Sequence, residues 1–410
     1  MEVIAERCAG LDVHKRSVVA CVRVATGRRV ERETRRFTTF AGDLVAMRDW
    51  LTGEGVTVAL MESTGVYWKP VWRVLDSHVE LLLGNARHIK AVPGRKTDIK
   101  DAEWLADLAA HGLVRGSFVP PAAIRALRDM TRYRRRMAEH RGQQIQRIDK
   151  LLEDTGIKLG SVASNSLGVS GRAMLDALCR GERDPATLAG LAKAGLRSKI
   201  PELTLALAGD FRPHHEAMLT ELLGHYDDLG KVTARLDQQI GRAMEPYACQ
   251  RDRLCSIPGI ASTNAEVIIA EIGVDMSVFP TPAHLASWAG VCPGNNESAG
   301  KHFSGRTRPG NSWLRVALVQ AAWSASHTRD SYLAAQFWNI TRRRGKARAL
   351  LAVAHSILHI AYHVIDEDID YQELGGDYFI RRVDPQRETR RLVARLEALG
   401  HTVDLTPATN

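Results

Sequence analysis

Apolar positions change their period several times along the first 85 residues. Val18-Val-Ala-Cys-Val-Arg-Val24, Val56–Met61 and Glu80-Leu-Leu-Leu-Gly84 are short aliphatic and β-branched runs that predict strands. A further strand-like stretch opens at Cys8-Ala-Gly-Leu-Asp12-Val-His14. Between these runs, Ala41–Leu51 and Val66–Asp76 repeat apolar residues in steps of three and four, which predicts helices. The pattern then turns helical. A long polar helix is predicted from Ala122 to Glu153, and a second over 214–247. In the second, Leu219, Leu222, Tyr226, Leu229, Thr233, Leu236, Ile240, Ala243 and Tyr247 alternate as a heptad seam. The two helices are expected to pair antiparallel within the chain while also contributing to dimer contacts. Residues 156–212 give only short helical pieces broken by Gly, Ser and Pro, with no evident chemistry.

The C-terminal third reads as helices again. Leu254-Cys-Ser-Ile-Pro-Gly-Ile260 and Ala265–Ile272 read helix, Pro-Gly turn, helix, a hairpin that can present backbone N–H groups to phosphate. Phe279–Ala289, Asn311–Ser326 and Ala347–Ile365 follow, the last two strongly apolar, and Arg381–Gly400 is an amphipathic helix with six arginines. The expected organisation is an α/β domain over 1–120, a helical coiled-coil region over 121–248, a mainly α domain over 249–380 and a basic tail over 381–410.

A strand-rich start followed by β-α-β is the order of an RNase H-like fold, in which the first strand, the fourth strand and a later helix carry metal-binding acids. Asp12, Glu62 and the pair Asp98/Asp101 fall in those three places. Four converging carboxylates repel unless cations neutralise them. All-oxygen ligands suit Mg²⁺ or Mn²⁺, and a pair of such ions promotes phosphoryl transfer.

Composition narrows the partner. The 410 residues are 45% hydrophobic, enough for two or three globular domains. No apolar run approaches the roughly 20 residues that span a membrane, and the first residues lack the pattern of a signal peptide. Six scattered cysteines without a Cys-x-x-Cys pair argue for a reducing cytosol and against a zinc site. Net charge is +9, and the excess is local. Residues 301–350 hold ten Lys/Arg and one acid; residues 113–158 hold eleven against five. Such segments fit a nucleic acid. Candidate contacts are Arg95 and Lys96 in the basic loop before Asp98, Arg134 and Arg135 on the first long helix, and Lys301, Arg306 and Arg308 further on. Offsetting the acids' own charge is the competing role for the loop cations.

The last three lie in a long Gly- and Pro-rich loop, Val291 to Asn311. Gly294 to Lys301 superficially matches a phosphate-binding Walker loop, but five residues separate its glycines and His302 replaces the required Ser/Thr. ATP binding is excluded there. Ser298 and Ser304 are both candidate nucleophiles, since a serine attacking a phosphodiester conserves the bond energy for rejoining. Most loop serines only satisfy backbone groups, and spacing does not choose between these two.

Taken together and in this order, the motifs resemble the DEDD-type transposases of the insertion sequence 110 family. Gly10-Leu-Asp12-Val-His-Lys15, Met61-Glu62-Ser-Thr-Gly-Val-Tyr-Trp68 and Lys96-Thr-Asp98-Ile-Lys-Asp101-Ala are similar to its acidic motifs. Ile257-Pro-Gly-Ile260, Asn295-Asn-Glu-Ser298-Ala-Gly-Lys301, Gly310-Asn-Ser-Trp-Leu-Arg315, His355-Ser-Ile-Leu358 and Tyr371-Gln-Glu-Leu-Gly375 resemble its C-terminal domain. The resemblance implies an RNase H-like (RuvC-like) domain joined by a coiled-coil region to a mainly α transposase domain. It implies Mg²⁺ held by Asp12, Glu62, Asp98 and Asp101, with Ser298 as nucleophile. It further implies recombination of element ends with target DNA, a structured guide RNA from the element's flank, and a dimer or tetramer in which the acids of one subunit meet the serine of another.

Two other readings compete. A metal-dependent RuvC-like nuclease of the junction-resolvase type would hydrolyse DNA without a covalent intermediate. A non-enzymatic nucleic-acid scaffold would leave the acids as surface residues, the commonest fate of Asp and Glu. Against the scaffold, Asp12 and Glu62 sit at the edges of apolar strands.

Overall fold

Five strands of the N-terminal unit form one mixed sheet. β1 (Arg7–Val13), β2 (Ser17–Thr26) and β3 (Arg29–Thr38) run as an antiparallel meander. Helix α1 (Ala41–Gly53) leads to β4 (Val58–Glu62), and α2 (Trp68–Leu75) leads to β5 (Glu80–Gly84). The order across the sheet is β3-β2-β1-β4-β5, with β4 parallel to both β1 and β5. Two helices, α3 (Ala86–Ala91) and α4 (Asp101–Ala110), follow. The computed structural model describes residues 3–27, 29–63, 65–92, 101–293, 296–298, 301–304, 307, 309–381 and 385–406, and the chain divides into two units, 1–119 and 120–410.

The sheet is covered on both faces, and the two-residue period of β1 and β4 sorts their side chains between them. Ala9, Leu11, Val13, Ala59 and Met61 pack with Leu44, Met47 and Leu51 of α1 and Val71 and Leu75 of α2. Cys8 and Leu60, on the opposite face, pack with Trp104, Leu105 and Leu108 of α4. Gly10 shares the α4 face, and a Cβ there would lie 2.0 Å from the Ala102 carbonyl oxygen and 2.3 Å from the Ala106 nitrogen. Only glycine lets the helix backbone approach this closely. The β3 edge is the exception to apolar patterning: Arg-Val-Glu-Arg-Glu-Thr-Arg-Arg is exposed along nearly its whole length, and charge on an edge strand discourages further strand addition.

Among its described residues, the second unit is helical apart from one small hairpin. α5 (Ala122–Asp154) and α10 (Pro213–Met244) pack antiparallel. Arg134 meets Asp237, the Arg141 guanidinium lies 4.1 Å from the Tyr226 ring centre, and His215 meets Asp154. The heptad seam is buried at Leu219, Leu229 and Ile240, but no residue from 230 to 239 is fully buried. Four short helices lie between them in sequence: α6 (Leu159–Val162), α7 (Val169–Cys179), α8 (Pro185–Gly190) and α9 (Ile200–Ala206). They close a core of Met174, Leu175, Leu188 and Leu203 against Ile148, Leu152 and Leu219 of the long helices.

The remaining helices are α11 (Ala248–Cys255), α12 (Ser262–Ile272), α13 (Pro282–Ala289), α14 (Ser312–Ala325), α15 (Tyr332–Arg344), α16 (Lys346–Asp366), α17 (Tyr378–Arg381) and α18 (Pro385–Ala398). Between α13 and α14 sits the hairpin β6 (Asn296–Ser298) and β7 (Lys301–Ser304). The α11–α12 turn has Gly259 at φ +88°, where a Cβ would lie 2.2 Å from the Ala321 carbonyl oxygen of α14. Its glycine therefore serves helix packing, whatever else its N–H groups do. α16 is long and apolar enough to cross a membrane, unlike any run expected from the sequence. It instead buries Val353, Ala354, Ile357, Leu358 and Ala361 within this helical unit.

Candidate active site

Three of the four acids lie toward one end of the sheet. Asp12 is the penultimate residue of β1 and Glu62 the last of β4. The parallel register pairs Leu11 with Met61, so Asp12 and Glu62 stand next in line on neighbouring strands about 4.8 Å apart. Alternation puts both on the α4 face, in step with Cys8 and Gly10 on one strand and Leu60 on the other. α4 runs antiparallel to β1. Cys8 Sγ donates to the Ala106 carbonyl at 3.3 Å, while Gly10, further along the strand, abuts Ala102. The start of α4, with Asp101, therefore lies toward the Asp12 end. Burial pushes the Cys8 thiol up to about 11, which keeps it a protonated donor.

Asp107 anchors α4 to the sheet. Its Oδ1 accepts from Arg23 Nε of β2 at 2.9 Å and from Arg32 Nη2 of β3 at 2.8 Å, and Arg23 is buried. Asp12 keeps 24% side-chain exposure, and its Oδ2 lies 3.0 Å from His14 Nε2. Asp101 is exposed, at a helix N-terminus where the backbone dipole favours an anion. Among the described residues, no three His, Cys, Asp or Glu side chains are grouped closely enough to hold a cation. Asp98, the fourth acid, lies outside the described residues. The donor chemistry fits a hard divalent cation: only carboxylate oxygens, on one face, at a partly open strand end.

The candidate serines occupy different levels of the β6–β7 hairpin. Ser298 ends β6 and pairs with Lys301, next to the tip; Ser304 pairs with Asn296 at the opposite end of the ladder. A Pro293–Thr307 bridge closes the base, and Gly310 packs so tightly on the Ala289–Gly290 backbone that a Cβ would lie 2.4 Å from the Gly290 nitrogen. The expected irregular loop is thus, in part, a pinned hairpin. The side chains of Ser298, Lys301 and Ser304 lie outside the described residues, as do Arg95, Lys96, Arg306 and Arg308 entirely.

The α5 arginines are largely engaged inside the fold. Arg134 is buried, donating to Glu266 at 2.6 Å and Asp237 at 3.0 Å. Arg135 pairs with Glu139 one turn on. Glu271, 0% exposed, accepts from Arg132 Nε at 2.7 Å and Nη2 at 2.8 Å, and from Asn311 Nδ2 at 2.6 Å. Arg128 Nε lies 3.3 Å away. Asn311 in turn caps α14, its Oδ1 accepting from the Trp313 and Leu314 nitrogens. Glu271 thereby ties α5 to the cap of α14, the helix that follows the serine hairpin. Sequence reasoning missed this hub; its signal was a pair of glutamates in the otherwise apolar Ala265-Glu-Val-Ile-Ile-Ala-Glu-Ile272. Beside it, a cavity of about 480 Å³ opens among α5, α10, α12 and α14, with Arg132 and Arg136 over the Trp313 ring.

Comparison with known proteins agrees with these motifs. A DEDD transposase model of the IS110 type matches residues 9–157, and a model described as "Transposase IS116/IS110/IS902 family" matches residues 251–339. An "Insertion element IS110 uncharacterized 43.6 kDa protein" of Streptomyces coelicolor is 29% identical over 33% of this chain and 34% of its own length. A "Probable family 20 transposase" of Pseudomonas aeruginosa is 26% identical over 67% of this chain and 73% of its own. A "Putative transposase y4pF/y4sB" of Sinorhizobium fredii is 25% identical over 37% and 40%. This chain thus spans about a third of the first relative, nearly three quarters of the second and two fifths of the third. The matched segments include Asp12, Glu62, Asp98, Asp101 and the Ser298 hairpin, and the chain belongs to the IS110 family of transposases.

Proposed function

We propose that this protein recombines DNA with a composite site: a divalent metal, Mg²⁺ or Mn²⁺, held by Asp12, Glu62, Asp98 and Asp101, and Ser298 as nucleophile. The observation that carries it is the placement of Asp12 and Glu62 side by side at the ends of β1 and β4, under the start of α4 that bears Asp101. The strand order and the positions of these acids support an RNase H-like, RuvC-like assignment for the first unit. When bound, the metal supplies charge neutralisation for the phosphodiester and its leaving oxygen. The carboxylates hold that ion, and Gly10 and the Asp107 clamp keep α4 in register with the strands that carry them. Ser298 Oγ attacks phosphorus, an O–P bond to serine forms, and one deoxyribose oxygen leaves. Attack by a hydroxyl of the incoming strand reverses the exchange, so no bond energy is lost and no ATP is needed.

Element ends and target DNA are the substrates in this reading, and a structured RNA from the element's flank selects them. The chain acts as a dimer or tetramer, with α5 and α10 forming a coiled coil at the contact and the acids of one subunit serving the serine of another. The six free cysteines suit a reducing cytosol.

The test is incubation with Mg²⁺, element-end DNA and flank RNA, followed by denaturing electrophoresis. A protein–DNA band that disappears in Ser298→Ala and Asp12→Ala, but persists in Ser304→Ala, is expected. Cleavage without a band would reassign the protein as a hydrolytic nuclease, and a band lost only in Ser304→Ala would move the nucleophile.

A further inference from the structure

Arg128, Arg132 and Arg134 of α5 are neutralised inside the fold, whereas the cations at the α15–α16 junction are not. Arg342, Arg343 and Arg344 end α15; Gly345, at φ +81°, turns the chain; Lys346 and Arg348 lie in the first turn of α16. All five cations are exposed, and none makes an ion pair or side-chain hydrogen bond among the described residues. The sequence has no acid from Ser331 to Ile365. Helix stability accounts for only part of this. Three cations at the end of α15 complement its dipole, but Lys346 and Arg348 sit where the dipole of α16 opposes positive charge.

An aromatic ring stands on the same ground. Trp338 is 49% exposed, its indole edge-on to buried Phe337. It lies one helical turn before Arg342, on the same side of α15. A large apolar ring kept in water beside unpaired cations is the arrangement that binds unpaired nucleotides, with bases on the ring and phosphates on the cations. A duplex, whose bases are stacked internally, offers such a ring no open base face without the cost of unstacking.

We infer that the α15–α16 junction is a binding surface for single-stranded nucleic acid, with Trp338 stacking on a base and Arg342, Arg343, Arg344, Lys346 and Arg348 holding the adjoining phosphates. The inference rests on the nucleic-acid role proposed above and gives it a place on the surface.

Fluorescence anisotropy of the full chain in EDTA tests it, using labelled oligo-dT and oligo-rU of about 20 nucleotides across a salt series. R342A/R343A/R344A is expected to make the log–log salt dependence shallower by about 2, from roughly 0.7 per phosphate contact. W338A should weaken binding about tenfold and leave the salt slope unchanged, while W338F retains most of the affinity. Stronger binding of dT or of rU supports the surface in either case and identifies the strand it serves. Thermal unfolding should match wild type, since every altered side chain is exposed; K346A/R348A gives a second variant outside α15. Wild-type binding to a duplex of equal length but to neither single strand would remove this surface, and failure to bind any of the three would remove the nucleic-acid role itself. Wild-type binding with unchanged affinity and slope in the variants would remove only this surface. So would a duplex of equal length binding as tightly with no effect of W338A. Loss of binding to phosphatidylserine vesicles, with oligonucleotide binding intact, would reassign the patch to a membrane surface.

Discussion

Truncation of Glu271 is the sharpest test of how the second unit is held together. The carboxylate is inaccessible to water and accepts two hydrogen bonds from Arg132 and one from Asn311, with Arg128 at 3.3 Å. Glu271→Ala removes the largest favourable charge acting on Arg128. Burial already holds that guanidinium down to about 10, the neighbouring carboxylate opposing the fall, and its Nε and Nη2 still donate to the Ala270 and Glu271 carbonyls. Removing one partner of a buried ion pair costs about 3–5 kcal/mol. Arg132 is one-third exposed and can turn toward solvent, which favours the lower end, about 3 kcal/mol. Urea unfolding followed by circular dichroism measures the loss. Glu271→Gln keeps the shape and one acceptor and should fall between Ala and wild type. Arg132→Ala should couple to Glu271→Ala by about 1 kcal/mol or more in a double-mutant cycle. A loss below about 1 kcal/mol, or additive single changes, would refute the hub.

Three further outcomes are expected. Gly10→Ala should displace α4 and destabilise the first unit by about 1–3 kcal/mol or more, read as a lower thermal midpoint of the isolated change, because its Cβ meets backbone that cannot rotate away; a midpoint equal to wild type would contradict the close approach. Mg²⁺ should raise the thermal midpoint of wild type and leave Asp98→Asn unmoved; equal shifts would exclude Asp98 from the metal set. Stability should also fall on acidification below about pH 6.5. Burial lowers the pKa of both His355 and His359 on α16, so the unfolded chain takes up protons that the native fold resists. Thermal unfolding between about pH 7.5 and 5.5 should show the loss, and His359→Gln should flatten it; an unchanged slope in that variant would remove His359 as a source.

Elements with an apolar period were readable directly. β2, β4, β5, α1, α2 and both long helices lie close to where the spacing of aliphatic residues places them. β3 was not readable, because its Arg-Val-Glu-Arg-Glu pattern has no apolar face; pairing along β2 and the Arg32–Asp107 bond hold it in place. The short helices between α5 and α10 were legible only as helical pieces without bounds, since their apolar residues find partners only in tertiary contact. Asp12 and Glu62 were visible as acids ending apolar strands. Their shared face was not, because it depends on which side of the sheet α4 covers. The reverse holds for Arg134: sequence shows a cationic run, and only packing reveals the Glu266 and Asp237 carboxylates that occupy it.

The absence of a side chain at Gly10 has a consequence for how the acidic site can be interrogated. The spacing between β1 and α4 is set by main chain against main chain, not by rotamers that differ from one side chain to the next. Replacing Asp12 or Asp101 with asparagine therefore removes charge while the frame beneath it stays fixed. Affinities measured across such a series report electrostatics almost free of rearrangement. The same rigidity fixes the backbone beneath Asp12, so an ion proposed to bind there would cost little main-chain rearrangement.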